Sequence, residues 1–96
     1  MTKADLLTSA RRTIQLEQQA VADLAQYLNE DFVQACETIL GSQGRVIVSG
    51  MGKSGHIGKK IAASLASTGT PSFFVHPGEA SHGDLGMITP EDVVLA

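Results

Sequence analysis

Cysteine is almost absent from this sequence. Its 96 residues include one, Cys36, which excludes an internal disulfide and a multi-cysteine zinc site and points to a reducing compartment. Long apolar runs are missing too: no stretch approaches the roughly 20 residues of a membrane span. The opening MTKADLL has no apolar segment ahead of a small-residue cleavage site, which predicts no signal peptide and a cytosolic protein. Nor is there an excess of positive charge. The formal net charge is -3, whereas a protein that neutralises many nucleic-acid phosphates is basic. Neither nucleic acid nor a membrane is therefore an expected partner. Hydrophobic residues at 43% and charged residues at 18% are the proportions of a folded chain, one small domain or part of a larger one.

Acidic residues are also missing from one particular stretch. Residues 45–71 carry four bases (Arg45, Lys53, Lys59 and Lys60) and no acid, while residues 72–96 carry four acids and no base. The purely cationic stretch coincides with a glycine-rich segment, which suits a small phosphorylated ligand. Lys59 and Lys60 themselves are expected to be a solvated helix face.

Periodicity divides the chain. Residues 3–28 read as one helix, capped by Thr2 with Asp5 three positions on, and striped by Leu7, Ala10, Ile14, Val21, Leu24 and Leu28. About 26 residues at 1.5 Å each make a helix of roughly 39 Å, long enough to pack across a larger body or a second subunit. Asn29–Asp31 break it and cap a second helix to Leu40, with Phe32, Ala35, Cys36, Ile39 and Leu40 on its buried side. Cys36 is expected to be core packing. Residues 1–44 thus form a helical arm. The β-branched run at 45–49 predicts a strand buried on both faces, as in a parallel sheet. A glycine loop, a helix over 54–68 with Ile57, Ile61, Ala62 and Leu65 facing the sheet, and a strand at 72–75 complete a right-handed βαβ unit. Residues 76–89 are irregular, and 93–96 form a third strand. A parallel sheet needs cover on both faces, so residues 45–96 are expected to be the first part of a larger α/β domain.

Two loops carry candidate chemistry. Gly50–Gly55 matches G-x-G-x-x-G between strand and helix, the context of a dinucleotide fingerprint. Residues 70–75 supply no acid for a ribose, and Ile47 stands where a P-loop needs its first glycine, so both nucleotide readings weaken. What remains is an anion-binding turn tipped by Lys53, placed to steady a phosphate or an oxyanion; a plain solvent-exposed lysine is the alternative. His56 follows in the first helical turn. The second loop gathers His76, Glu79, His82 and Asp84 within nine residues. That set suits proton transfer, metal ligation or simple pinning of the loop by hydrogen bonds.

GMGKSGHIG at 50–58, ASTGTP at 66–71 and FVHPGEASHGDLG at 74–86 resemble the sugar isomerase (SIS) domain of D-arabinose 5-phosphate isomerases. The resemblance implies a three-layer αβα fold on a parallel sheet, cut after its third strand and preceded by two helices. It implies interconversion of D-ribulose 5-phosphate and D-arabinose 5-phosphate through an enediol, in the supply of a lipopolysaccharide sugar, by a cytoplasmic protein that is tetrameric in the family. It assigns Lys53 to catalysis, Gly69, Thr70 and His82 to substrate contact, and His76 to an inhibitory zinc, with no cofactor required. The family's serine-rich phosphate loop, catalytic glutamates, a further histidine and CBS modules match nothing in these residues, so the 96 residues alone are expected to be inactive. A non-catalytic sugar-phosphate sensor on the same fold is the alternative.

Overall fold

A computed structural model describes residues 1–96. They form two compact units, 1–35 and 36–96. In the first, helix α1 spans Lys3–Asp23 and continues as a 3-10 turn over Leu24–Tyr27. The α-helix is thus about 32 Å long, shorter than expected, because the last turn tightens before the break. The capping box forms in full. The Asp5 N–H donates to Thr2 Oγ1 at 3.1 Å, and the Thr2 N–H donates to Asp5 Oδ2 at 3.0 Å. Helix α2, Glu30–Leu40, starts where the Asn29 side chain accepts the N–H groups of Asp31 and Phe32.

The second unit is built on three parallel strands, β1 (Val46–Val48), β2 (Ser72–Phe74) and β3 (Val93–Leu95), in the order β2-β1-β3. Ile47 pairs with Phe73 on one side and Val94 on the other. Directly paired residues share a face, so Val46, Val48, Phe74 and Leu95 lie on the opposite one. Helix α3, Gly52–Ser67, packs on that opposite face over β1 and β2. Val46, Val48 and Ala62 form the core there, joined by Ile39 of α2, Leu65 and Phe74. The segment expected to be irregular holds a short helix, α4 (Pro77–Ala80), because Pro77 starts it and His76 caps it. A 3-10 turn follows at Asp84–Met87.

Two burial expectations are corrected. Ile57 is 63% and Ile61 38% exposed, whereas the residues of α3 that meet the sheet are Gly55, Gly58 and Ala62, with Leu65 partly buried. Small residues let the helix axis approach β1 and β2 closely, which turns the isoleucines toward the β3 side. On α2, Phe32 and Leu40 are exposed, and Cys36 is half-buried.

The sequence reading missed what holds β3 in register. The Asp92 carboxylate, 1% exposed, accepts the Arg45 N–H at 2.7 Å, the Arg45 guanidinium Nη2 at 3.2 Å and the Thr89 N–H at 2.8 Å. Arg45 also donates to the Met87 carbonyl at 2.6 Å and lies over the Phe73 ring. The backbone donors of Thr89 and Arg45, and then the guanidinium, hold the Asp92 carboxyl well below the usual carboxylate range. A depressed folded pKa gives stability that is complete above the unfolded value of about 3.9 and is lost as the pH falls toward the folded value. Asp92→Asn is therefore expected to be less stable than wild type at neutral pH, and its melting temperature to fall less between about pH 4 and pH 2. A variant that loses stability in acid as steeply as wild type would assign the acid sensitivity elsewhere.

Candidate functional site

The strand order creates a divide at the centre of the sheet. From β1 the chain goes to β2 on one side, and from β2 it returns past β1 to β3 on the other. Ligands of open α/β sheets bind outside the carboxyl ends of the strands at such a divide. A cavity of about 460 Å³ lies there, lined by Val48 and Ser49 at the end of β1, Lys53, Ser54 and Ile57 on α3, and Leu95 at the end of β3. Lys53 is exposed and lies in the first turn of α3, whose cap residue Met51 makes no side-chain bond to the turn. The first N–H groups of the helix stay open to a ligand, and the helix dipole adds positive potential beside the lysine.

The second loop reaches the same rim. The Val75 N–H donates to the Val48 carbonyl at 2.9 Å, and Ser49 Oγ donates to the Val75 carbonyl at 2.6 Å. These bonds fix the exits of β1 and β2 side by side. A second cavity, about 320 Å³, is lined by Gly52, Gly55, His56 and Lys59 of α3, with Phe74 and His76. The Lys53 turn and the histidine-bearing loop therefore meet at the carboxyl edge.

Not every expected residue joins them. His82 lines neither cavity; it sits in the turn after α4, where its N–H donates to the Glu79 carbonyl. Gly69 and Thr70 precede β2 and so lie at the opposite, amino-terminal rim, beside a smaller cavity shared with Ile39, Ser42 and Val46. Within one chain they do not reach Lys53. Ser49 and Ser54 line the main cavity although neither was singled out from the sequence. Their signal was position, at the end of a buried strand and in the first turn of the next helix.

As placed here, the histidine loop does not fit a zinc ion. No three His, Cys, Asp or Glu side chains lie where they could hold a metal. His76 Nδ1 accepts the Gly78 N–H at 3.0 Å, so in the neutral ring the proton sits on Nε2 and neither nitrogen offers a spare lone pair.

The SIS domain model matches residues 39–96, more than half the chain. The chain belongs to the SIS domain family. Among curated SIS relatives, arabinose 5-phosphate isomerase KdsD of Pseudomonas aeruginosa is 68% identical over 92 residues, and KdsD of Escherichia coli K12 is 58% identical. These alignments take in 96% of the chain and 28% of each relative, so the chain spans little more than a quarter of their length. A solved E. coli CFT073 structure in complex with arabinose 5-phosphate superposes with a TM-score of 0.89 at 44% identity, over 98% of this chain and 50% of that one. The membership agrees with the parallel sheet and with the expected SIS fold. No helix is long and apolar enough to cross a membrane.

Proposed function

We propose that the intact protein interconverts D-ribulose 5-phosphate and D-arabinose 5-phosphate. The observation that carries this is the cavity lined by Lys53 and the ends of β1 and β3, in a chain 68% identical to a KdsD isomerase. The arabinose 5-phosphate bound to a related structure supports the same ligand class. Isomerisation removes the proton alpha to the carbonyl and returns it to the neighbouring carbon, so negative charge develops on oxygen in the enediolate. An ammonium group and open N–H donors at that edge stabilise such an oxyanion or hold the phosphate. Ser49 and Ser54 are placed to orient sugar hydroxyls, and Ile57 and Leu95 to limit water.

The intact protein is further proposed to be a cytoplasmic homo-oligomer. Leu7, Ile14, Val21 and Leu24 on and after α1 are each more than half exposed, an apolar stripe that a second copy would cover. Two measurements on the purified intact protein test these readings. A coupled assay is expected to show arabinose 5-phosphate formed from ribulose 5-phosphate. Saturable binding of the sugar phosphate without turnover would instead establish the sensor alternative. Light scattering is expected to give a mass several times that of one chain, and a monomeric mass would remove the assembly.

A further inference from the structure

The exits of all three strands are tied at one serine. The Ser49 N–H donates to the Leu95 carbonyl at 2.9 Å, which joins β1 to β3. Ser49 Oγ donates to the Val75 carbonyl at 2.6 Å, which joins β1 to the end of β2. Bonds along a parallel ladder are evenly spaced. Once the Val75 N–H has donated to the Val48 carbonyl, the next rung belongs to the N–H of Gly50. The chain turns out of the sheet there, and the Gly50 carbonyl closes on the start of α3, 2.7 Å from where a Cβ of Gly55 would lie. The Ser49 hydroxyl takes the rung instead. A carbonyl only accepts, so the one hydroxyl proton is committed to Val75. Toward the cavity that it lines, Ser49 Oγ keeps acceptor lone pairs alone and cannot donate to an oxyanion. The Val75 carbonyl shares a peptide plane with the His76 nitrogen, so holding it fixes where the histidine-bearing loop leaves the sheet. Between Val75 and Met87 the hydrogen bonds of that loop are internal. Its hydrogen bonds to the sheet lie at its two ends, with Ser49 at the start and Arg45 on the Met87 carbonyl at the finish.

We propose that Ser49 is a positioning residue of the carboxyl edge. Its side chain replaces the ladder bond that Gly50 gives up, and so holds the exit of β2 at a fixed spacing from the Lys53 turn. The bearing of this clasp on catalysis rests on the isomerase reading; the clasp itself does not. Val75 is 5% exposed, so its carbonyl finds little water if the serine hydroxyl is removed. An unpaired buried carbonyl is costly, and rotating it toward a new donor turns the His76 peptide plane with it. The spacing between the two loops then drifts, and a misplacement of about 1 Å slows an enzyme by as much as about 10²-fold. Ser49 acts on the reaction through the strand exits and not by giving a proton to the reacting atoms.

The test is Ser49→Ala and Ser49→Thr in the intact protein, read by amide hydrogen exchange and by turnover. In Ser49→Ala, protection of the Val75 and Ser49 N–H groups is expected to fall about tenfold, while that of Val46, bonded to Pro71 at the other rim, changes less than about twofold. The same variant is expected to lose about 10- to 100-fold in kcat with KM moving less. Ser49→Thr keeps a hydroxyl on the same carbon and suits strand backbone, and is expected to bring both readouts within about threefold of wild type. Unchanged protection at Val75 in Ser49→Ala overturns the clasp. Lost protection with wild-type kcat and KM overturns its role in positioning, leaving a strand tie with no hold on the site. A fall in kcat with Val75 still protected also overturns it, because Ser49 then acts on the substrate directly. Wild type that binds arabinose 5-phosphate without turnover ends the isomerase reading alone, and the same variants are then read in Kd against the same protection.

Discussion

Gly55→Ala lowers the stability of the intact protein by about 1–3 kcal/mol, the range for forcing extra volume into a packed interior. The reason is a single contact. A Cβ built on Gly55 lies 2.7 Å from the Gly50 carbonyl oxygen, and that oxygen belongs to backbone that cannot swing aside. Relief requires the start of α3 to move away from the end of β1. The Lys53 turn spans that junction, so activity falls together with stability. Two other glycines grade the effect. At Gly58 the new methyl meets side-chain atoms of Phe74 and Val48 at 3.1 Å, which yield by a few tenths of an ångström, so the loss is smaller. At Gly86 it meets nothing within 4 Å, and the substitution is near neutral. Chemical unfolding of the three variants reads the series. Equal midpoints for Gly55→Ala and Gly86→Ala would show that the turn does not depend on this approach.

The same glycines show what the sequence discloses and what it withholds. The spacing G-x-G-x-x-G after a β-branched run placed strand, turn and helix correctly, because local chain geometry alone sets that motif. The Thr2–Asp5 cap was equally local, and both of its bonds are present. Ile57 and Ile61 misled because hydrophobicity says which residues prefer burial and not how closely two backbones approach. Gly55, Gly58 and Ala62 took the contact by being small. Asp92 was invisible for a related reason. Its partner Arg45 lies 47 residues away, and only pairing of β1 with β3 brings the two together. Strand order set the remainder: with β1 central, the Lys53 turn and the exit of β3 share a cavity, while Gly69 and Thr70 lie at the other rim.

The second large effect is at Lys53. Lys53→Ala in the intact protein is expected to lower kcat by about 10²–10³, the scale for losing one preorganised charge aimed at a developing oxyanion. Stability is expected to stay within about 0.5 kcal/mol of wild type, since the side chain is exposed. Lys60→Ala serves as the charge control. It removes the same ammonium from the same helix but lines neither cavity, and is expected to turn over at the wild-type rate. The split between parameters separates the two roles open to Lys53. A fall in kcat with little change in KM means the charge acts on the enediolate, whereas a rise in KM at constant kcat means it only holds the phosphate. Lys53→Arg keeps the charge but replaces a compact ammonium with a planar fork. It therefore restores substrate affinity more fully than rate if the lysine must meet a single oxygen atom. Wild-type kcat and KM in Lys53→Ala would remove this residue from the reaction and move the chemistry to another part of the carboxyl edge.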